Sequence, residues 1–436
     1  MSRRSHQVTR RSFLKTSAAG AAAVAFAGPR LAFAGQEEKL NIAAIGVQNR
    51  AWANISGVRH ENIVALCDVD RGYLNRAHAE FPSAKRFTDF RELLSSNLSI
   101  DAVVVSTPDH THGPAAAMAL KQGKHVYCEK PLTHSVYETR VLTDLAREHG
   151  VATQMGTQIH AGENYRQVVE LIQSGVIGKV REVHVWCGKS WSNGRFQEAQ
   201  PVPEQLDWDL WLGPAAERPY SPGIHPGNWR RFWPYGTGTL GDMACHYVDL
   251  VFWALELTYP TRVEAKGPEV HEVGTPQWLI VHYDFPARGE QPPVKLHWYD
   301  GGKRPDIISK LKLADGSPVQ WGDGHLFIGE KGMLISDYGR HLLLPEERFA
   351  EFKRPEPFIP RSIGHYREWL QACRTGGKTT CEFSYAGPLT EAVLLGTVAY
   401  RLGKPLQWDA KKLVVTNAAE DAAKLIRPPM REGFEV

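Results

Sequence analysis

The sequence predicts an α/β fold: a doubly wound parallel sheet in the N-terminal part, then an α+β domain with a large open, mostly antiparallel sheet. From Lys39 to Met155, short apolar runs alternate with helix-like stretches, which is typical of parallel strands joined by crossover helices. Beyond Gly178, polar and apolar residues alternate along the predicted strands, as expected for a sheet with one exposed face. A chain of 436 residues is long enough for two domains.

The predicted strands of the first sheet are residues 40–45, 63–67, 102–105, 125–128 and 151–155. Those of the second sheet are residues 180–187, 277–285, 294–298, 325–328 and 333–336. Helical spacing over 361–374 and 385–402 predicts two helices that close the interface between the domains. Residues 192–233, rich in Trp, Pro and Gly, are expected to form a long ordered loop of the kind that often carries function.

The pattern of the N-terminal residues indicates an export signal. Arg10 and Arg11 precede a small-residue apolar run over 18–27, and Ala32-Phe33-Ala34 offers a cleavage site. A membrane anchor is the alternative, but this run is far short of the roughly 20 residues that a span requires. We therefore expect residues 1–34 to be a twin-arginine signal peptide that engages the twin-arginine export machinery, so that the protein is periplasmic or otherwise exported.

The net charge indicates which kinds of partner to expect, and the cysteines indicate whether disulfides form. Residues 1–34 contain six basic and no acidic residues, so removing them changes the net charge from +3 to about −3. Without a lysine or arginine cluster, nucleic acid and anionic membranes are excluded as expected partners, and a small substrate is favoured. Cys67 and Cys128 end apolar runs and are predicted to be buried free thiols, whereas pairing of Cys373 with Cys381 is left open.

A loop that fits a bound dinucleotide follows the first strand. Gly46 opens the segment G-V-Q-N-R-A where a Rossmann domain has G-x-G-x-x-G, and Gln48 replaces the glycine that lets the pyrophosphate approach. Asp68 ends the second strand, where a carboxylate accepts hydrogen bonds from the ribose hydroxyls and repels a 2′-phosphate. The sequence thus predicts NAD rather than NADP, a dinucleotide-binding domain over 38–160, and cofactor contacts from Gly46, Gln48, Asn49, Arg50 and Asp68.

Polar residues also follow the third and fourth predicted strands. The carboxyl ends of parallel strands form the ligand-binding edge of such sheets. His110 and His112 could be metal ligands, but a metal needs three or four groups and no metal site is predicted; His112 could instead be a hydrogen-bonded residue at a helix start. Further cofactor contacts are expected from Ser106, Thr107, Pro108, His112, Glu129, Lys130 and Gln158.

Four segments together resemble the Gfo/Idh/MocA family of oxidoreductases. They are Thr107-Pro108-Asp109-x-x-His112 followed by Gly123-Lys124-His125-Val126-Tyr127-Cys128-Glu129-Lys130-Pro131, then Gly156-Thr157-Gln158, and finally Gly241-Asp242-Met243-Ala244-Cys245-His246-Tyr247-Val248-Asp249. The resemblance covers essentially the whole chain after the signal and implies an NAD-binding Rossmann domain and a substrate and oligomerisation domain over 161–436. Gln48 departs from the family pattern and bears on how the dinucleotide lies.

The resemblance implies that Lys130, Asp242 and His246 face the nicotinamide and the reacting carbon. Asp242 and His246 are four residues apart and share one face of a helix, although such a pair can also be a capping and core feature. Oxidation of a hydroxyl requires a base with a pKa near ambient pH, which an imidazole provides unaided. We expect His246 to accept the proton, Asp242 to orient it or bind a substrate hydroxyl, and Lys130 to polarise the oxygen; the family leaves the division between Lys130 and His246 open.

The substrate class follows from aromatic residues around the expected cleft. Aromatic faces pack against the C–H faces of sugar rings, so Trp191 and Trp229, with Arg230, are predicted substrate contacts. His160 and Arg166 are further candidates for hydroxyl recognition, although Arg166 can equally be a surface residue. A sugar, glycoside or cyclitol is the expected substrate.

The sequence is compatible with three alternative functions. The first is hydride transfer between tightly bound NAD and a secondary hydroxyl. The second is redox-neutral glycoside cleavage by oxidation, elimination and re-reduction, which suits an exported enzyme that cannot exchange its cofactor. The third is a non-catalytic carbohydrate-binding relic, suggested by Gln48. The open second sheet further predicts a homodimer or homotetramer through that face.

Overall fold

A computed structural model describes residues 38–436, of which 40–436 form one compact unit. The predicted signal peptide over 1–34 lies outside the described residues. Within 38–436, none of the helices is both long and apolar enough to cross a membrane. The division into domains at residue 160 stays a prediction.

The N-terminal sheet consists of six parallel strands in the order β3-β2-β1-β4-β5-β6, which confirms the doubly wound arrangement. Along β1, Ala43 and Ile45 join one apolar cluster and Ile42 and Ala44 join another, so both faces of the sheet are covered. The strands are β1 Asn41–Ile45, β2 Asn62–Cys67, β3 Lys85–Phe87, β4 Ala102–Val105, β5 His125–Cys128 and β6 Thr153–Met155.

Helices connect these strands. They are α1 Arg50–Val58, α2 Arg71–Glu80, α3 Phe90–Leu94, α4 Asp109–Lys121 and α5 Val136–His149. Helix α5 begins with a capping box in which Ser135 and Glu138 bind each other's backbone N–H groups. Strand β3 was not predicted because it is a short, charged edge strand without an apolar pattern.

The second sheet has nine strands in the order β13-β12-β11-β7-β10-β9-β8-β14-β15, and its one parallel pair is β7 with β10, so the predicted mostly antiparallel sheet is confirmed for the described residues. The strands are β7 Val180–Trp186, β8 Arg262–Lys266, β9 Ile280–Phe285, β10 Val294–Tyr299, β11 Gly324–Gly329, β12 Met333–Ser336, β13 His341–Leu344, β14 Leu406–Asp409 and β15 Val414–Val415. The strands β8, β13, β14 and β15 were not predicted.

The helices described after β6 are α6 Glu163–Gln173, α7 Trp208–Leu212, α8 Gly238–Leu255, α9 His365–Thr375, α10 Phe383–Leu402 and α11 Ala419–Ile426. Helices α8 and α10 pack on the second sheet, against β7 and β8, whereas α9 packs against α1 and joins an apolar cluster of the N-terminal sheet. Helix α10 packs against both α5 and α8 and so links the two sheets, as expected for residues 385–402. Helix α9 starts later than the predicted residue 361, after Gly364 with φ 109°, a conformation that interrupts a helix.

The aromatic segment over 192–233 is ordered. It contains α7 and a 3₁₀ turn, Trp229–Arg231, and packs largely on its own apolar cluster, which includes Trp208, Trp211 and Phe232. Residues 38–436 include all six cysteines, and each is a buried free thiol. The prediction for Cys67 and Cys128 is confirmed, and the possible Cys373–Cys381 pair is not formed.

Candidate active site

A cavity of about 630 Å³ lies at the carboxyl ends of β1, β2, β4 and β5. Its other walls come from the 192–233 segment and from the N-terminal half of α8. The predicted site residues that line it are Gly46, Gln48, Asn49, Arg50, Asp68, Ser106, Thr107, Pro108, His112, Glu129, Lys130, Gln158, Trp191, Trp229, Arg230, Asp242 and His246.

The loop after β1 requires its glycine. Gly46 has φ +84°, and a Cβ there would lie 2.6 Å from the carbonyl oxygen of Ser106. Asn49 precedes α1 with φ 56° and makes no side-chain capping bond, so the first backbone N–H groups of the helix are not capped by it. This helix start beside the cavity therefore offers donors to an anionic group.

Asp68 holds this loop in place from the end of β2. Its carboxylate accepts hydrogen bonds from the backbone N–H groups of Val47 and Asp70, both at 3.0 Å. Burial raises the pKa of Asp68 to about 6, against the opposing effect of these two bonds. Each carboxylate oxygen retains capacity for another donor, such as a hydroxyl in the cavity.

Glu129 is the centre of a buried polar network. It accepts from Arg50 Nε at 2.9 Å, from Asn54 Nδ2 at 3.0 Å and from Gln158 Nε2 at 3.1 Å. Gly156 is needed beside it, since a Cβ there would lie 2.7 Å from the Glu129 carboxyl. Arg50 and Gln158 line the cavity, but both are already fixed by this carboxylate.

Lys130 and Asp242 form a buried ion pair across the cavity floor. The Lys130 ammonium donates to the Asp242 carboxylate and, at 2.9 Å, to the Asp242 backbone carbonyl. Trp191 Nε1 donates to the other carboxylate oxygen at 2.6 Å, and Arg230 Nε lies 3.0 Å from the first. Although burial alone would raise it, Lys130 and Arg230 hold the pKa of Asp242 well below its usual value. One of the three Lys130 N–H groups remains for a ligand oxygen.

His246 lies one turn further along α8 and also lines the cavity. In the described structure its side-chain partner is Thr157, whose Oγ1 is 3.2 Å from Nδ1, rather than Asp242. The Thr157 hydroxyl donates to the Cys245 carbonyl at 3.1 Å, so Oγ1 accepts the proton of His246 Nδ1 and Nε2 is left unprotonated. Burial, together with the Lys130 ammonium, lowers the pKa of His246 well below its usual value, which keeps the ring neutral.

The aromatic side chains in the cavity wall, Trp191 and Trp229, are held in place by Asp242 and Arg230. Arg230 lies over the ring of Trp229 at 4.2 Å and within 3.6 Å of Asp109, besides contacting Asp242. Trp191 is fixed through its indole N–H to Asp242. The three predicted substrate residues of this wall are therefore preorganised around one carboxylate.

The two histidines after β4 are occupied by backbone groups. Both ring nitrogens of His112 lie 2.8 Å from carbonyl oxygens, those of Thr107 and Pro131, so this side chain ties together the ends of β4 and β5. His110 is buried with its Nε2 2.9 Å from the carbonyl of Trp211, and burial lowers its pKa to about 3. His112 lies in the first turn of α4, as expected for a hydrogen-bonded residue at a helix start, and it also forms part of the cavity wall.

His160 and Arg166 lie outside the cavity, so the prediction that they bind substrate is wrong. His160 Nδ1 is 2.9 Å from both oxygens of Asp249, and its ring stacks on Trp253 at 4.1 Å. Arg166 is 2% exposed and pairs with Glu368 at 2.9 Å. Both side chains lie in the interior, where His160 contacts α8 and Arg166 contacts Pro360 and Glu368.

The orienting role given to Asp242 is also corrected, because Asp242 binds Lys130, Trp191 and Arg230 while Thr157 holds His246. Thr157 was present in the Gly156-Thr157-Gln158 segment, but its role depends on the packing of α8. Lys189, an exposed lysine just after β7, also lines the cavity and was not predicted.

Comparison with known proteins yields three family models. Residues 40–157 match an oxidoreductase family with an NAD-binding Rossmann fold, and residues 161–290 match the C-terminal alpha/beta domain of the same family. Residues 7–27 match the twin-arginine translocation pathway signal sequence.

Individual relatives are distant. Inositol 2-dehydrogenase of Salmonella paratyphi B is 29% identical over 158 residues, which cover 36% of this chain and 43% of that protein. Glycosyl hydrolase family 109 protein 1 of a Shewanella species is 27% identical over 206 residues, 40% of this chain and 45% of that one. The chain thus spans about half the length of the curated relatives it matches.

Among solved structures, the WlbA dehydrogenase of Bordetella pertussis in complex with NADH and UDP-GlcNAcA has a similar fold. It is 18% identical with a TM-score of 0.58, covering 85% of this chain and 99% of that one. The matched models span residues 40–157 and 161–290, more than half of the 436 residues, and this protein therefore belongs to the Gfo/Idh/MocA oxidoreductase family.

Proposed function

We propose that the protein is an NAD-dependent oxidoreductase that transfers a hydride between bound nicotinamide and a secondary hydroxyl of a sugar, glycoside or cyclitol. The observation that carries the proposal is the meeting of Lys130, Asp242 and His246 in the same cavity as the Gly46 loop and Asp68. A dinucleotide loop and a proton-transfer group are the two parts that such a reaction needs in one place.

The cavity residues fit a dinucleotide. The Gly46 turn leaves no space for a side chain next to the backbone of β4, and the start of α1 presents backbone donors to a diphosphate. Asp68 favours NAD, because its carboxylate can accept from ribose hydroxyls and would repel a 2′-phosphate. Gln48 is the exception, since its side chain must turn aside from the pyrophosphate. When bound, NAD would supply the hydride acceptor.

Side chains in the cavity would carry out the proton transfer that accompanies hydride transfer. His246 presents an unprotonated Nε2 held by Thr157, which suits a base that removes the hydroxyl proton. Lys130 keeps one free N–H group for the substrate oxygen while Asp242 fixes its position. We assign His246 as proton acceptor, Lys130 as the donor that polarises the oxygen, and Asp242 as a positioning residue.

The substrate class is supported by the cavity wall. Trp191 and Trp229 provide aromatic surface, and Arg230 and Lys189 provide donors for hydroxyl oxygens. A solved structure with a similar fold carries UDP-GlcNAcA, a sugar nucleotide by its printed name. We propose that Trp191, Trp229 and Arg230 contact the sugar ring.

A second candidate is redox-neutral cleavage of a glycoside. It is favoured by the relative named as a glycosyl hydrolase and by the twin-arginine signal, which carries folded proteins away from the cytoplasmic NAD pool. A tightly bound cofactor in the periplasm would then be restored within each cycle. The presence of Lys130, Asp242 and His246 together argues against a non-catalytic carbohydrate-binding relic, because such a protein would not need groups for proton transfer.

One experiment tests these proposals together. Protein purified without added nucleotide is denatured and the released cofactor identified by mass spectrometry; NAD is expected. A panel of sugars and glycosides is then followed for both NADH and product. Net oxidation gives NADH in proportion to product, whereas cleavage without net NADH supports the redox-neutral scheme. Protein that carries no dinucleotide and binds none when supplied would overturn both and support the relic.

A further inference from the structure

The outer face of the nine-stranded sheet carries a row of histidines. His184 on β7, His297 on β10 and His282 on β9 stand side by side in register across three neighbouring strands. The alternate residues of β7 and β10, such as Val183 and Leu296, point to the opposite face and join the apolar core beneath α8 and α10. The row is therefore separate from the cavity, whose lining includes none of these three histidines among the described residues.

Two of these imidazoles converge on one carboxylate. The Nε2 atom of His184 lies 3.0 Å from Glu182 Oε1, and the Nε2 atom of His297 lies 3.4 Å from the same oxygen. The two rings are stacked, with centroids 4.9 Å apart and planes inclined by 26°. Three candidate ligand atoms, two imidazole nitrogens and one carboxylate oxygen, thus lie within 4.8 Å of one another.

We propose that Glu182, His184 and His297 form a binding site for a divalent transition-metal ion such as Zn²⁺, independent of the catalytic cavity. Tetrahedral zinc with bonds of about 2.0–2.1 Å places its ligand atoms about 3.3 Å apart, close to both measured distances. Two histidines and one carboxylate are a common ligand set for such ions and leave one position for water.

The second nitrogen of each imidazole has a partner, as metal-bound histidines require. His184 Nδ1 lies 3.2 Å from the Tyr299 hydroxyl, and His297 Nδ1 lies 2.5 Å from His282 Nδ1. Such outer contacts fix the ring orientation and direct the Nε2 lone pairs towards the ion. His282 and Tyr299 would thus support the site without being ligands.

In the single chain the proposed site is open to solvent. The Glu182 side chain is 42% exposed, which provides an entry path. Without metal, each Nε2–H can donate to Glu182, so the sheet forms either way.

The other histidine and carboxylate cluster is a weaker candidate. His160, Asp249 and Cys381 are close together but fully enclosed, and the Asp249 oxygens are already shared between His160 and the Tyr385 hydroxyl. Binding there would require these bonds to break in the interior. The outer row has no such obstacle.

The test uses protein made without a histidine tag and stripped of metal with a chelator. Zn²⁺ binding is measured by titration calorimetry, and Co²⁺ is used as a spectroscopic probe of tetrahedral coordination. We expect one equivalent of Zn²⁺ to bind, a tetrahedral Co²⁺ spectrum, and a higher melting temperature with Zn²⁺ present. Glu182→Gln and His297→Gln should each weaken Zn²⁺ binding by at least about 100-fold, since loss of outer contacts alone costs 10–100-fold.

The variants are chosen to keep the fold intact. Glutamine at position 182 can still accept from both imidazoles, and circular dichroism checks that each variant is folded. His60→Gln is the matched control, because His60 Nε2 lies 3.2 Å from Glu61 Oε1, whose other side-chain partner is Arg374 rather than a second imidazole. Equal Zn²⁺ affinity in wild type and both row variants, or no stoichiometric binding to the wild type, would overturn the proposal.

Discussion

Helix α8 carries two buried carboxylates with opposite fates. Asp249 is fully enclosed; its oxygens bind His160 Nδ1 at 2.9 Å and the Tyr385 hydroxyl at 2.8 Å. Asp242, two turns earlier on the same helix, faces the cavity and binds Lys130, Trp191 and Arg230. Both are aspartates near a histidine. Asp249 makes interior contacts, whereas Asp242 positions Lys130 and Arg230 beside the cavity.

The contrast teaches that residue type and spacing do not separate a structural pair from a site. Residues 242 and 249 are seven apart and so lie on the same side of the helix. What differs is the neighbour: Asp249 meets the turn after β6 and helix α10, whereas Asp242 meets the carboxyl end of β5. The surroundings of each carboxylate decide whether its loss affects chemistry or stability.

The largest expected effect is at Lys130, the ion-pair partner of Asp242 in the cavity. Lys130→Ala removes the free N–H donor and the partner of Asp242, and we expect kcat to fall by about 10³-fold, within the range for loss of a proton-transfer group. Bound dinucleotide and the circular dichroism spectrum should be retained. Lys124→Ala, at the opposite end of β5, is the control and should leave kcat unchanged; its Nζ donates to the Ile100 carbonyl, away from the cavity. Loss of folding in Lys130→Ala would make the lysine structural.

Exchanging the two carboxylates for amides tests the comparison directly. Asp242→Asn should lower kcat by about 10²-fold, because Lys130 and Arg230 lose the charge that positions them. Asp249→Asn should instead lower the free energy of unfolding by about 2 kcal/mol, because buried hydrogen bonds to a charged group are lost, with kcat per folded molecule unchanged. Steady-state kinetics and thermal denaturation of both variants separate the outcomes. Equal losses of activity would mean that Asp249 also supports the site.

Much of this arrangement could be predicted from local sequence. Gly46, Asp68 and Lys130 each follow a short, buried apolar strand, and parallel strands bring their carboxyl ends to one edge. The confirmed fold class rests on the same strand pattern. The sequence therefore predicts that Gly46, Asp68 and Lys130 lie at one edge of the sheet, and all three line the cavity.

The remainder depends on packing between distant segments. His160 was interpreted as a substrate residue because it follows the β6 linker, but Trp253 and Asp249 of α8 enclose it. Strand β14 pairs with β8, far away in sequence, and neither has a strong apolar pattern. The histidine row needs the register of β7 and β10, which no local motif reveals.

The smallest expected effect is at Thr157, which takes for His246 the role that Asp249 takes for His160. Thr157→Val removes the acceptor of the Nδ1 proton while keeping the side-chain shape. We expect kcat to fall by about tenfold, a fraction of what a general base contributes, with little change in KM. The bond to Thr157 favours the protonated ring, so its loss lowers the pKa of His246 further.

The acid limb of the kcat profile should accordingly move to lower pH in Thr157→Val, because the base then becomes protonated only in more acidic solution. Thr157→Ser keeps the hydroxyl and should restore both the rate and the profile. A purely structural role for Thr157 predicts something different: both variants would lower the melting temperature, and the pH profile per folded molecule would not move. An unshifted profile in Thr157→Val would therefore return the proton-acceptor role to Lys130, the alternative that the family pattern leaves open.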